Sequence, residues 1–530
     1  MIGSNKSSLL FSIIVNFLAV VSLYTLGSVE GFLKPVAILF GLLIVGSTIL
    51  AYTSFARSLK NELGRAWMVI WIIVLAIQLF WAFIKAPIDI DGLFYHLPII
   101  LEALDKNQWG NWSLKMWHVQ NTPKLGEIPN LCMIALGGNH GWRLAQLGHF
   151  STGIIGTLGI YLIAQTMKVK KPSLFALAFW MSPLVLKQMG SNYVDLASWS
   201  YWIAAAAFLA NLGSHNIILA GMSVFLHAGV KISGPMTAFA LLPLLLGNKE
   251  KNKISNGFIL LTFLIASASL WMIPNLIRFG DPIYPLNLRS MNPASLVPSQ
   301  LGVGSDFHPP LILASKFISA VLQFFIPEPI AVYDQSGLAW GGLGPFCLVL
   351  VFWWLVKFRS LLVARPYSKA FLLSLVIYFL LMPGREVPRH GFALGLAIIV
   401  LGLLIFDAFL MENRKAKIAL TAVLLVQTLY VAGDRIVLRG LKDAPAGKIF
   451  QILSENARDV FLYGEPQAAE RYFHYKYVPT LRRNEPRSVS ITNNEVELLA
   501  LYWGRRFSNK VKIDENFCRW PYCDITGKNN

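Results

Sequence analysis

The sequence predicts an α-helical polytopic membrane protein of about 13 transmembrane helices, with a long first outer loop and a small C-terminal α/β soluble domain. Three observations predict it. Hydrophobic residues fill 55% of the 530 positions and charged residues only 14%, where an ordinary soluble domain is roughly 25% charged. Apolar runs of helix length recur between short basic clusters. The charges also concentrate at one end. Residues 434–530 hold 16 Lys/Arg and 12 Asp/Glu, which is 28 of the 74 in the chain. The composition excludes a disordered chain and speaks against a soluble enzyme.

A spanning helix needs about 20 mostly apolar residues. Runs that meet or approach this fall at 9–27, 35–54, 66–84, 144–166, 173–188, 196–212, 216–230, 234–247, 257–275, 339–357, 369–383, 390–410 and 416–433. Several are short, and 216–247 reads equally as one broken hairpin. The apolar run 311–326 lies between proline-rich stretches, so it is expected on the membrane surface or re-entering it. No internal repeat is evident, although transporters often carry one.

The basic clusters then orient the chain. Lys6; Arg57, Lys60 and Arg65; Lys168, Lys170 and Lys171; Lys249, Lys251 and Lys253; Lys357, Arg359, Arg365 and Lys369; and Arg414, Lys415 and Lys417 all fall on one side of this topology. Only Glu62, Glu250 and Glu412 oppose them there. By the positive-inside rule that side is cytoplasmic. The net charge of +18 is thereby explained without a nucleic-acid partner, which would need one concentrated basic face. Thirteen spans put the N-terminus inside and the tail outside. The expected division is a membrane module, 1–433, with outer loops at 85–142 and 276–338, and a soluble domain at 434–530. The location is the cytoplasmic (inner) membrane of a cell, with the tail periplasmic or extracellular.

Four cysteines exclude a disulfide scaffold, and no Cys/His spacing makes a zinc site. Cys132 and Cys347 sit in apolar surroundings as core thiols. Cys518 and Cys523 lie in the polar tail and could pair in an oxidising space.

Polar chemistry is expected on the outer side. The loop after the third span begins with Asp89 and Asp91 at a membrane boundary, where ionisable groups are costly and functional by default. A partly desolvated carboxylate there could act as a general base or bind a divalent cation through oxygen; the alternative is a solvated helix end. Leu93, Leu97, Ile100, Leu101 and Leu104 keep helical spacing, which suggests an amphipathic surface helix begun or kinked at Pro98. Trp109, Trp112 and Trp117 suit anchoring at the headgroup level, with stacking on sugar rings as the alternative. Asp195 stands just before a span, where a carboxylate favours a helix N-terminus.

The run Asp91-Gly-Leu-Phe-Tyr95-His96-Leu-Pro98 resembles the Asp-x-x-x-Tyr-His-x-Pro start of the first outer loop in bacterial integral-membrane glycosyltransferases of the GT-C fold. This superfamily of lipid-linked-sugar transferases includes the protein mannosyltransferases and the aminoarabinose transferase. Pro123-Lys-Leu-Gly-Glu127 resembles the family's Pro-x-x-x-Glu, and Asn192-Tyr-Val-Asp195 is a looser version of its Asn-Asp element. Gly229-Val-Lys231 resembles its Gly-x-Lys. Asn275-Leu-Ile-Arg278-Phe-Gly280-Asp-Pro-Ile-Tyr-Pro285 is close to its Asn…Gly-Asn-Pro-x-Tyr-Pro, with Asp281 in place of the usual Asn. Gly342-Leu-Gly344-Pro and Arg385…Arg389-His390 complete the order.

The resemblance covers about 85 to 410. It implies a polyprenyl-phosphate-dependent, inverting transfer of a sugar to a glycan, lipid or protein acceptor on the outer face. Asp91 then activates or positions the acceptor, with Asp89 as its neighbour, and His96 shuttles a proton or serves a structural hydrogen bond. Tyr95, Glu127 and Asp195 are substrate-binding candidates. Lys231, Arg278, Arg385 and Arg389 are candidates for the carrier phosphate, against the alternative of snorkelling to headgroups. No cofactor is required, with a divalent metal as an open alternative. A polymerase or ligase using a diphosphate-linked glycan would share the outer site. A transporter would place its ionisable groups near the midplane instead.

Overall fold

The computed structural model describes residues 2–84, 96–110, 112, 121–138, 144–210, 214–247, 252–283 and 366–382, a few isolated helical positions between 396 and 426, and the pairs 489–490 and 524–525. The membrane-module residues among them are mostly helical. In chain order the helices are α1 (Ile2–Thr25), α2 (Leu33–Glu62), α3 (Arg65–Ile84), α4 (Leu97–Lys106), α5 (Ile128–Gly137), α6 (Gly148–Thr166), α7 (Pro172–Trp180), α8 (Pro183–Met189), α9 (Asp195–Ala210), α10 (Ser214–Ala228), α11 (Gly234–Ala238), α12 (Leu242–Gly247), α13 (Lys253–Phe279) and α14 (Pro366–Leu381). Single 3-10 turns precede α5, at Leu125–Glu127, and α12, at Phe239–Leu241. In the tail, β1 (Val489–Ser490) pairs antiparallel with β2 (Asp524–Ile525).

Three helices are long and apolar enough to cross a membrane: Ser4–Thr25, Leu33–Glu62 and Lys253–Arg278. These make the chain a membrane protein. The other helices of the described bundle are shorter or less apolar. The apolar run expected at 173–188 is not continuous, because the chain turns at Met181-Ser182 and restarts at Pro183, giving α7 and α8. The run 234–247 is likewise divided by its 3-10 turn.

At the centre, α6 and α9 are buried along almost their whole lengths. Small residues let them approach. A methyl group added at Gly156 would sit 2.6 Å from Ser200 Oγ, and one at Gly159 would sit 2.7 Å from Ile203 Cγ2. Close backbone approach of this kind suits helices in lipid, where burial itself supplies no driving force and packing must. Around this pair stand α1, α2, α7, α10 and, beyond α10, α13. Tyr378 of α14 stacks on α9, with its ring 4.4 Å from Trp199 and 5.3 Å from Trp202. Polar bonds join the helices: Asn5 Nδ2 donates to Ser58 Oγ (2.7 Å) and Tyr201 Oη to Asn16 Oδ1 (3.0 Å). On the outside, α2, α3 and α13 expose Leu39, Leu42, Ile49, Ile73, Ile254 and Ile277, the apolar coat that a bilayer requires.

The bundle has two distinct ends. At one, Glu62 closes α2 against α6 and α7. Tyr161 Oη donates to Glu62 Oε1 (2.8 Å), the Ser173 amide donates to Glu62 Oε2 (2.9 Å), and Lys171 Nζ donates to the Glu62 carbonyl (2.6 Å). A carboxylate at the start of α7 complements the helix dipole. The basic clusters at 57–65 and 168–171 therefore share an end.

At the other end, Asn107 adopts the left-handed conformation (φ 50°) that closes α4. Its Oδ1 accepts from the Lys34 amide (2.7 Å), one of the orphan donors at the start of α2, and its Nδ2 donates to the Gly31 carbonyl (2.8 Å). The Trp109 amide reaches the Gly27 carbonyl (2.7 Å). Trp109 is buried, its ring against Tyr24 (5.6 Å) and Trp112 (5.3 Å). It thus anchors the loop inside the bundle and not at a headgroup surface, because the α1–α2 turn closes over it.

Candidate functional site

Among the described residues, the segments 121–127, 192–195, 229–231 and 275–283 meet, with His96, at the Asn107 end. Segment 121–127 is held from three directions. Asn275 Nδ2, near the end of α13, donates to the Asn121 carbonyl (3.0 Å). The Leu125 amide donates to the Gly229 carbonyl just past α10 (2.9 Å). A methyl group at Gly126 would lie 2.6 Å from Val194 Cβ and 3.0 Å from Val230 Cγ1, so glycine alone lets this strand of chain lie against the neighbours of Asp195 and Lys231.

Two side-chain pairs result. His96 Nδ1, at the entrance to α4, lies 2.8 Å from Glu127 Oε1, with both side chains buried. Asp195, in the first turn of α9, forms an ion pair with Lys231. Asp195 therefore faces the positive end of its helix and an ammonium at once. Lys231, a phosphate candidate by sequence, has a carboxylate on it already.

Beneath them lies a network of neutral groups. Asn130 Nδ2 donates to Asn192 Oδ1 (3.3 Å) and to His149 Nε2 (3.2 Å).

Lys124 is a site residue that the sequence reading passed over, although it stands inside the quoted Pro123-Lys-Leu-Gly-Glu127 run. Its Nζ donates to the Thr122 carbonyl (2.6 Å) and lies 4.6 Å from the centre of the Trp112 ring. Burial pushes its ammonium down to about 7; the Glu127 charge acts in the opposite direction, and Arg278 adds to the lowering. Arg278, in the last turn of α13, is exposed at the rim. Gly280 follows in the left-handed conformation (φ 69°), and Asp281 Oδ1 accepts from the Ile283 amide (3.0 Å), which fixes the turn leaving the helix.

Of the residues proposed from sequence, His96, Glu127, Asp195, Lys231 and Arg278 are thus at one end of the bundle. Asp89, Asp91, Tyr95, Arg385 and Arg389 lie outside the described residues, as do Trp117, Cys347, Cys518 and Cys523. Cys132 is a buried free thiol, as expected. Among the described residues, no three His, Cys, Asp or Glu side chains gather as metal ligands. Chemically, the cluster offers a carboxylate-bound imidazole, a lysine that changes charge near neutrality and an exposed guanidinium, next to a rim where an anion could approach.

No protein-family model matches the chain, and no curated protein matches it. The described residues define a helical membrane protein with a buried polar cluster at one end of its bundle.

Proposed function

We propose that the chain transfers a sugar from a polyprenyl-phosphate-linked donor to a glycan, lipid or protein acceptor at the outer face of the cytoplasmic membrane, in the manner of the GT-C glycosyltransferases it resembles. One observation carries this reading. The resembling segments are far apart in sequence, yet 121–127, 192–195, 229–231 and 275–283 are brought together with His96 at the same end of the bundle. A shared site needs that convergence, and a set of unrelated loops does not.

In this reading Asp91 activates or positions the acceptor hydroxyl. Arg278, Lys124 and Lys231, with Arg385 and Arg389, supply positive charge for the phosphate that departs from the sugar. Arginine offers a planar fork to phosphate oxygens, whereas lysine offers a point charge. The fuller topology of about 13 spans, with the basic end inside and the tail outside, belongs to the same proposal.

Deleting the gene from its host and analysing the lipid fraction tests it. Accumulation of a polyprenyl-phosphate sugar, reversed by the wild-type gene and not by Asp91→Asn, is the expected result. An unchanged lipid-linked sugar pool would remove the proposal.

A further inference from the structure

Asp195 and Lys231 are layered. The Asp195 side chain is 4% exposed and that of Lys231 20%, so the carboxylate lies inside and the ammonium reaches solvent. Asp195 is fixed in the first turn of α9. The main chain at Lys231 is fixed as well. Its carbonyl accepts from the Gly234 amide (2.8 Å), and Gly229, two residues before it, accepts from the Leu125 amide (2.9 Å). Among the described residues, Asp195 Oδ1 is the one hydrogen-bond acceptor on Lys231 Nζ. An ammonium has three N–H donors, so two are left for a group arriving from outside.

An anion that reaches Lys231 therefore meets a cation with a fixed negative charge behind it. Contacts of about 2.8 Å on either side of the ammonium put the two anions about 5–6 Å apart. At that separation, with an effective dielectric between those of water and of a protein edge, each pair of like unit charges costs about tenfold in affinity. The cost grows with the charge that the arriving anion carries.

Sugar transfer changes that charge. The acceptor oxygen bonds to the sugar carbon, the bond from that carbon to the phosphate oxygen breaks, and the electron pair stays with the phosphate. The hydroxyl proton goes to the base, which is Asp91 in the transferase reading. The donor is a phosphodiester with one negative charge. The polyprenyl phosphate left behind is a monoester with a charge of about −1.5 to −2 at pH 7. A site made of cations alone would hold this product more tightly than the donor.

We propose that Asp195 is a specificity-determining residue that does not touch the donor. By offsetting Lys231 it lets the site hold the singly charged polyprenyl-phosphate sugar without trapping the more highly charged polyprenyl phosphate, and so it promotes product release. This rests on the transferase reading for the identity of both lipids.

Equilibrium binding to the purified full chain in detergent tests it, with polyprenyl phosphate and a polyprenyl-phosphate hexose as the two probes. Asp195→Asn should tighten the hexose probe about tenfold and polyprenyl phosphate about 30- to 100-fold, which moves the ratio of the two dissociation constants toward the product. Asp195→Glu keeps the charge and should bind both probes as the wild type does. Adding Lys231→Gln to Asp195→Asn should abolish the gain. A residue that only supports the fold, or one that binds substrate, gives unchanged or weaker binding when its charge is removed, so either result overturns the proposal. Wild-type protein alone also decides. A wild-type preference for polyprenyl phosphate over the hexose probe of more than about tenfold overturns the proposal, whether or not any variant folds. Binding of neither probe to folded wild-type protein would remove the transferase reading and this proposal with it. Binding of both, without the gain in folded Asp195→Asn, would remove this proposal alone.

Discussion

His96 and Glu127 are 31 positions apart in the chain and 2.8 Å apart in space, and neither side chain is open to solvent. The pair ties the first turn of α4 to the segment before α5 at the end of the bundle where Asp195 and Lys231 also meet. Four titratable groups from four segments are therefore held in one wall of the protein.

The Asp195–Lys231 pair should behave as a partly buried ion pair, because Asp195 is buried and Lys231 is only partly so. Lys231→Met leaves the Asp195 carboxylate without its counter-charge and should cost about 3 kcal/mol of stability. Lys231→Met combined with Asp195→Asn should recover most of that loss, because both charges are then gone. Thermal unfolding in detergent of the two single variants and the double variant checks this. Additive losses would mean that the two charges do not stabilise each other.

Gly126 should tolerate no side chain. Its Cβ would fall 2.6 Å from Val194 Cβ and 2.7 Å from Val194 Cγ1, neither of which is the far end of a flexible chain. Gly126→Ala should destabilise by about 1–3 kcal/mol and push Glu127 away from His96. A Gly126→Ala protein with wild-type unfolding and an unchanged His96 nitrogen spectrum would contradict the packing.

Lys124 makes a pH prediction. Its folded pKa is about 7, below the ordinary lysine value near 10.4. Below pH 7 it is charged in both folded and unfolded protein, and the desolvation penalty is fully present. Between about 7 and 10.4 the unfolded chain binds the extra proton, so stability from this group rises with pH. Replacing Lys124 by Met should flatten that rise in thermal midpoints measured in detergent from pH 7 to 10. A steeper rise in the variant would mean that the sign is wrong.

The sequence shows these features unequally. Hydropathy located α1, α2 and α3, since a continuous apolar run is its own signal. It ended α2 at 54, whereas the helix runs to Glu62, because a helix does not stop where its residues become charged. It joined α7 to α8, since the break at Ser182-Pro183 lies inside an apolar run and alters no hydropathy. At the site, resemblance singled out His96, Glu127, Asp195 and Lys231 individually. Their pairing was not legible, because no helical or strand period links 96 to 127 or 195 to 231. Lys124 was given no role by the sequence, and only its position over Trp112 and beside Glu127 reveals its burial.

The proposed orientation of the bundle rests on the basic clusters alone. A single cysteine placed at Ser508 in a cysteine-free background should react with an impermeant maleimide in intact cells, or in spheroplasts where an outer membrane blocks access. Labelling only after the inner membrane is opened would place the tail inside and reverse the site's orientation.

Donor turnover is the most direct test of the central proposal. The purified chain in liposomes, given a polyprenyl-phosphate hexose and an extract of host membrane acceptors, should release polyprenyl phosphate as the sugar is transferred. Asp91→Asn keeps the shape of the side chain and removes its basicity, so the folded variant should release polyprenyl phosphate at least about 10²-fold more slowly while binding the donor as before. Release at the wild-type rate by Asp91→Asn would contradict the role given to that carboxylate, and no release by folded wild-type protein would contradict the transferase itself.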